Sequence, residues 1–235
     1  MKKFLSIFIA IFLILNLAAC GKSEAVKQTE VAISEIGEID LFSDDKIAKA
    51  EELYNSLSEK EASKVENYSD LTAAREEYNA LVYSAAMGDM EEYDYEKALS
   101  LLESIPAYKD AKEKMEEAKD GMFQSMCASY IFNFIKDGGF YNPSAVRVLD
   151  ATYADETDAY TMLLGTDGLL YLRIQGTNKV GGTLTKEFVI LLGGENDGEN
   201  YTNDDSGLDY KTSDKPIDVP TINKMLQKYW EDFGI

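Results

Sequence analysis

Apolar residues recur at helical intervals through the first part of this chain and at strand intervals through the last, and the change falls near Asp120-Gly121. Ile47, Ala50, Tyr54 and Leu57 stand three or four residues apart, so one helix presents them on a single face. Ser43-Asp44-Asp45 precedes that stripe with a capping residue and first-turn acids. Ser58-Glu59-Lys60-Glu61 has the S-x-x-E form of a capping box and predicts a second, short helix. Leu71, Ala74, Tyr78, Leu81 and Ala85 mark a third, longer one. Asp94 caps a helix bearing Tyr95, Ala98, Leu101, Leu102 and Ile105; Pro106 breaks it, and Tyr108-Lys109-Asp110-Ala111 opens another through Met115 and Ala118.

From Gly121 a helix to about Lys136 meets the turn Asp137-Gly138-Gly139, and Tyr141-Asn142-Pro143-Ser144 leads into Val146-Arg147-Val148. Leu170, Leu172 and Ile174 alternate with Tyr171, Arg173 and Gln175, and Leu184 to Leu192 is almost wholly apolar or β-favouring. Asn178-Lys179-Val180-Gly181-Gly182 between them reads as a hairpin loop. A last helix, capped near Asp218 with Pro220 in its first turn, aligns Val219, Ile222, Leu226, Tyr229 and Phe233. The expected class is α+β: an N-terminal all-α region, then a C-terminal antiparallel sheet packed with helices.

Ahead of all this, Met1-Lys2-Lys3 leads into an apolar run, Phe4 to Leu15, interrupted only by Ser6, that closes on Leu17-Ala18-Ala19-Cys20-Gly21. A basic start, about a dozen apolar residues and small residues before a cleavage point describe a secretory signal peptide, too short for an ordinary membrane span. Leu-Ala-Ala-Cys resembles the lipobox of bacterial lipoproteins. That resemblance implies lipidation of the Cys20 thiol and cleavage that makes Cys20 the mature N-terminus. It also implies attachment to the outer side of a cytoplasmic membrane, of Gram-positive type, through a covalent lipid such as palmitate. The expected organisation is a signal peptide over 1–19, a lipid anchor and tether over 20–30, a helical spacer over 31–120 and an α+β interaction domain over 121–235.

Three further resemblances carry no catalytic residues. Ile36-Gly37-Glu38-Ile39, the helix ending at Tyr54 and Leu57, and Val65-Glu66-Asn67-Tyr68 with Leu71 and Tyr78 resemble a small helical module repeated in Gram-positive surface proteins, taken as a spacer. It departs from the usual form at Glu61-Ala62-Ser63-Lys64, where a glutamine-lysine pair is common. The segment from Tyr95 to Ala111 is similar to one tetratricopeptide-like hairpin, and a single copy cannot build a solenoid. Gly121 to Ile235 resembles an uncharacterised module of secreted and lipid-anchored bacterial proteins. Asn142, Pro143, Ser144, Val146, Asn178, Gly181 and Gly182 stand at its shared positions, with Ala145 in place of a second serine, and all read as turn chemistry.

Charge and composition narrow the chemistry. Forty-three acidic residues against 23 basic ones give a net charge of -20, and losing Lys2 and Lys3 with the signal takes it to about -22. Neither nucleic acid nor anionic headgroups are expected partners, because binding them requires clustered Lys and Arg. The chain has no histidine, so Ser-His-Asp triads, Cys-His pairs and His-containing zinc sites are excluded. With Cys20 lipidated, Cys127 has no partner within the chain; it lies in the apolar pattern around Phe123 and Ile131 and reads as buried core. Glu195-Asn196-Asp197-Gly198-Glu199-Asn200 with Asn203, Asp204, Asp205 and Asp209 is rich in hard oxygens, but its spacing fails the EF-hand form. A solvated loop is expected there, and an acidic turn at Asp155-Glu156-Thr157-Asp158. Neither is read as a metal site, and no cofactor is expected.

The expectation is a non-enzymatic lipoprotein that displays an interaction domain on a helical spacer. Its partner would be an envelope protein or a cell-wall component. Two alternatives remain at this stage: a sensory or ligand-capturing lipoprotein that binds a small molecule or cation, and a cell-wall glycan-processing enzyme that uses paired carboxylates.

Overall fold

The computed structural model of the chain describes residues 22–138, 140–155, 168–192, 200–202 and 216–234. The chain divides into two compact units. The first runs to Gly88 and includes Leu101–Ala111; the second comprises Asp89–Ser100 and Lys112–Ile235.

The first unit contains α1 (Glu24–Ser34), α2 (Asp44–Asn55), the one-turn α3 (Glu59–Ala62), most of α4 (Tyr68–Glu91) and the end of α5 (Tyr95–Ser104). Helix α1 starts inside the stretch read from sequence as a tether. The Ser23 hydroxyl accepts the Val26 N–H at 3.4 Å, and Val26, Thr29 and Ile33 face the core at helical spacing. Alternating lysines and glutamates around Val26 hid this short stripe from the sequence reading. Ser58 does start α3 as expected, with its N–H and its hydroxyl both donating to Glu61 at 3.2 and 2.7 Å. Ser43 behaves differently. Its hydroxyl accepts the Asp40 N–H at 2.9 Å and donates to the Asp40 carboxylate at 2.8 Å, so it closes the preceding loop and makes no side-chain bond to α2.

On α4 the buried stripe is Leu71, Ala74, Tyr78, Val82 and Ala86. Beyond Tyr78 it advances by fours, which leaves Leu81 at the margin. Arg75, on the same helix, reaches α2 with a fork: Nε and Nη2 donate to Glu51 at 2.8 and 2.7 Å, and Nη1 donates to Asp44 at 2.6 Å. Tyr54 and Tyr68 stack beside this pair with centroids 4.1 Å apart.

The second unit is built on α6 (Ala111–Asp137), a single helix that passes through Asp120-Gly121 without a break. The dipeptide read from sequence as a boundary serves packing instead. A Cβ on Gly121 would stand 2.3 Å from the Tyr95 ring, so glycine here lets an aromatic side chain lie against the helix backbone. Four antiparallel strands follow in the order β1 (Arg147–Asp155), β2 (Gly168–Thr177), β3 (Thr183–Leu192) and the three-residue β4 (Asn200–Thr202). The β2–β3 loop forms as its sequence demands: Gly181 takes φ +82°, and the Asn178 carboxamide oxygen accepts the N–H groups of Val180 and Gly182 at 3.1 and 2.9 Å.

Leu170, Leu172 and Ile174 face a core shared with Ile131 and Ile135 of α6 and with Ile222, Met225 and Leu226 of α7 (Val219–Phe233). The cap of α7 is Asp218, as expected, while Trp230 and not Phe233 completes its buried stripe; Phe233 is 59% exposed. The architecture is α+β, with the antiparallel sheet on the C-terminal side packed against helices.

Candidate binding groove

In the second unit, α7 and the chain entering β1 leave a groove of about 340 Å³ between them. Its two walls are Asn223, Leu226, Gln227 and Trp230 on one side, and Ser144 to Arg147 on the other. The second wall is fixed by local turn chemistry. Asn142-Pro143-Ser144 forms the start of a single 3-10 turn (Pro143–Ala145), in which the Ala145 and Val146 N–H groups donate to the Asn142 and Pro143 carbonyls. These residues act as the turn that the sequence indicated.

Asn223 holds the two walls together. Its Oδ1 accepts the Val148 N–H at 3.0 Å and its Nδ2 donates to the Val148 carbonyl at 2.8 Å, so a helix side chain pairs with an edge strand as a neighbouring strand would. The register slips between Val148 and Asp150 directly after this contact. Trp230 closes the groove floor. It is 3% exposed and packs on Phe132 with centroids 4.4 Å apart, and its Nε1–H has no acceptor among the described residues. A buried donor left this way costs about 1–3 kcal/mol. The exposed Arg147 guanidinium at the rim is suited to a carbonyl or carboxylate oxygen.

A second recess of about 150 Å³ lies on the sheet and includes Asp150, Thr152, Tyr171, Arg173 and Glu187. Arg173 and Asp150 pair loosely across it at 3.8 Å. This charged, shallow surface offers less enclosure than the α7 groove.

The other residues singled out from sequence fall in several places. Cys20 and the acidic residues 156–158, 195–199 and 203–209 lie outside the described residues. Among the described residues no group of three or more acidic or cysteine side chains could hold a metal ion. Cys127 is fully buried in the core, and burial pushes its thiol up to about 12. Asn223 and Trp230 were not singled out from sequence; an asparagine one residue after the apolar Ile222, inside an otherwise apolar stripe, was the available signal. No protein-family model, curated protein or solved structure matches this chain.

Proposed function

We propose that this protein is a non-enzymatic lipoprotein held on the extracytoplasmic face of a membrane, where its sheet-bearing unit serves as an interaction domain and its helical unit as a spacer. The observation that carries the reading is Leu17-Ala18-Ala19-Cys20-Gly21 at the end of the apolar run. Two or more lipid chains at Cys20 would make the attachment durable, at roughly 0.8 kcal/mol per buried methylene. The absence of histidine removes the common hydrolytic constellations from consideration. Growth with radioactive palmitate tests the anchor: wild-type protein takes up label and Cys20→Ala does not. Equal labelling of the two would refute it.

The α7 groove supports a second reading, capture of a ligand bearing an acceptor oxygen. Trp230 is the only tryptophan in the chain, so its fluorescence reports on this site alone. A saturable change in emission on adding a cell-wall peptide with a free carboxylate, lost in Arg147→Ala, would favour ligand capture over display.

A further inference from the structure

The first described residue, Lys22, is already fastened to the folded unit. Its Nζ lies 2.6 Å from Glu30 and 2.9 Å from Glu66. The same Glu30 oxygen accepts the Glu66 N–H at 2.9 Å, and Asn67 Nδ2 donates to the Glu30 carbonyl at 3.0 Å. One residue later Ser23 caps α1, and four residues later Val26 is fully buried. From Lys22 onward the chain is knotted into α1 and the link before α4.

Cys20 precedes Lys22 by two residues, which span at most about 7 Å when fully extended. Resting on the lipoprotein reading, we infer that the helical unit lies directly on the membrane, with the Lys22–Glu30–Glu66 knot in the headgroup layer. The occupant of this surface is the bilayer itself. A diacylglyceryl group on Cys20 sits at the depth of the glycerol backbone, and a span of at most about 7 Å is about the thickness of the interfacial layer on one side of a bilayer, roughly 5–7 Å. The polar character of this end suits that position. Residues 22–30 and 58–67 carry Lys22, Lys27, Lys60 and Lys64 beside five glutamates, and their apolar side chains Val26 and Val65 point into the core. This end therefore meets the headgroups through polar side chains, and no flexible stalk lifts it away.

The test uses full-length lipidated protein purified from bacterial membranes and carrying Ser63→Cys, an exposed position one turn before Glu66. A thiol-linked fluorophore at that site is read in phosphatidylcholine–phosphatidylglycerol vesicles that contain a headgroup-nitroxide lipid. A second protein has twelve Gly/Ser residues inserted between Gly21 and Lys22, which adds a root-mean-square reach of about 19 Å. Strong quenching without the insertion, reduced by about twofold or more with it, is the expected result for a change of that length. Equal quenching in two proteins that both float with the vesicles would overturn the apposition while leaving the anchor intact. Failure of either protein to float would instead overturn the lipid-anchored reading on which the inference rests. An unchanged circular dichroism melt for the insertion protein shows that the unit remains folded.

Discussion

At the scale of single residues, protonation separates groups that hold the fold from groups that are inert. Glu30 is held below the ordinary carboxylate range by the Glu66 N–H and by Lys22, Asp40 by the Ser43 hydroxyl and the Phe42 N–H, and Glu61 by hydroxyl donors from Ser58 and Ser23. A carboxylate depressed in the folded state is protonated first in the unfolded chain as pH falls. Its contribution is complete above the unfolded values, about 4.3 for Glu and 3.9 for Asp, and is lost as pH drops through the lower folded values. The melting temperature of the helical unit should therefore hold from neutral pH down to about 5 and decline below about 4. The combined variant Glu30→Gln, Asp40→Asn, Glu61→Gln should show a shallower decline, and an identical acid limb would contradict the assignment. Cys127 shows the reverse behaviour. With its thiol raised to about 12 and no exposed surface, it should resist alkylation in the native protein at pH 8 and react fully once unfolded. Rapid native labelling would show that the core around it opens readily.

At the scale of elements, two contacts decide how the second unit is assembled. Asn223→Ala removes both bonds to Val148 and leaves that strand edge unpaired, which should cost about 1–3 kcal/mol and appear as a lower midpoint in a denaturant melt. Asn223→Asp keeps the acceptor but sets a carboxylate oxygen against the Val148 and Val219 carbonyls, so it should be at least as destabilising. Gly121→Ala would gain about 1 kcal/mol from helix propensity at an open site. Here the added methyl meets Tyr95 at 2.3 Å, so the substitution should destabilise instead. In a Tyr95→Ala background the same substitution should recover its favourable sign. A double-mutant cycle with no coupling would remove Gly121 from this role.

These contacts also show where the sequence was legible. The β2–β3 hairpin, the burial of alternate residues on β2 and the Asp218 cap of α7 follow from local patterns that tertiary packing reinforces. The start of α1 and the continuity of α6 do not. Val26 is the one large apolar residue among the polar and charged positions 22–30, and it is buried only in a cluster with α2 and α4 residues such as Ile47 and Leu71. Gly121 resembles a turn residue until Tyr95, distant in sequence, is seen against it. The α7 groove was illegible for a similar reason, because Asn223 has a role only once Val148 is its neighbour.

At the scale of the whole molecule, the two units are interleaved along the chain: α4 and α5 each contribute to both. The core of the second unit includes Tyr93 and Tyr95 at its margin, together with Phe123 and Ile131 on α6. A fragment cut at Gly121 loses both tyrosines and the first turns of α6. Residues 89–235 should therefore melt cooperatively at a higher temperature than residues 121–235, and equal midpoints would mean that the segment around Tyr95 adds nothing to this core. The central claim concerns neither unit but what precedes them, and intact-mass and peptide mass spectrometry of protein extracted from membranes tests it most directly. The account predicts a mature chain whose first residue is Cys20 carrying a diacylglyceryl mass on sulfur; a chain that retains Met1, or a mature N-terminus with an unmodified Cys20, would contradict it.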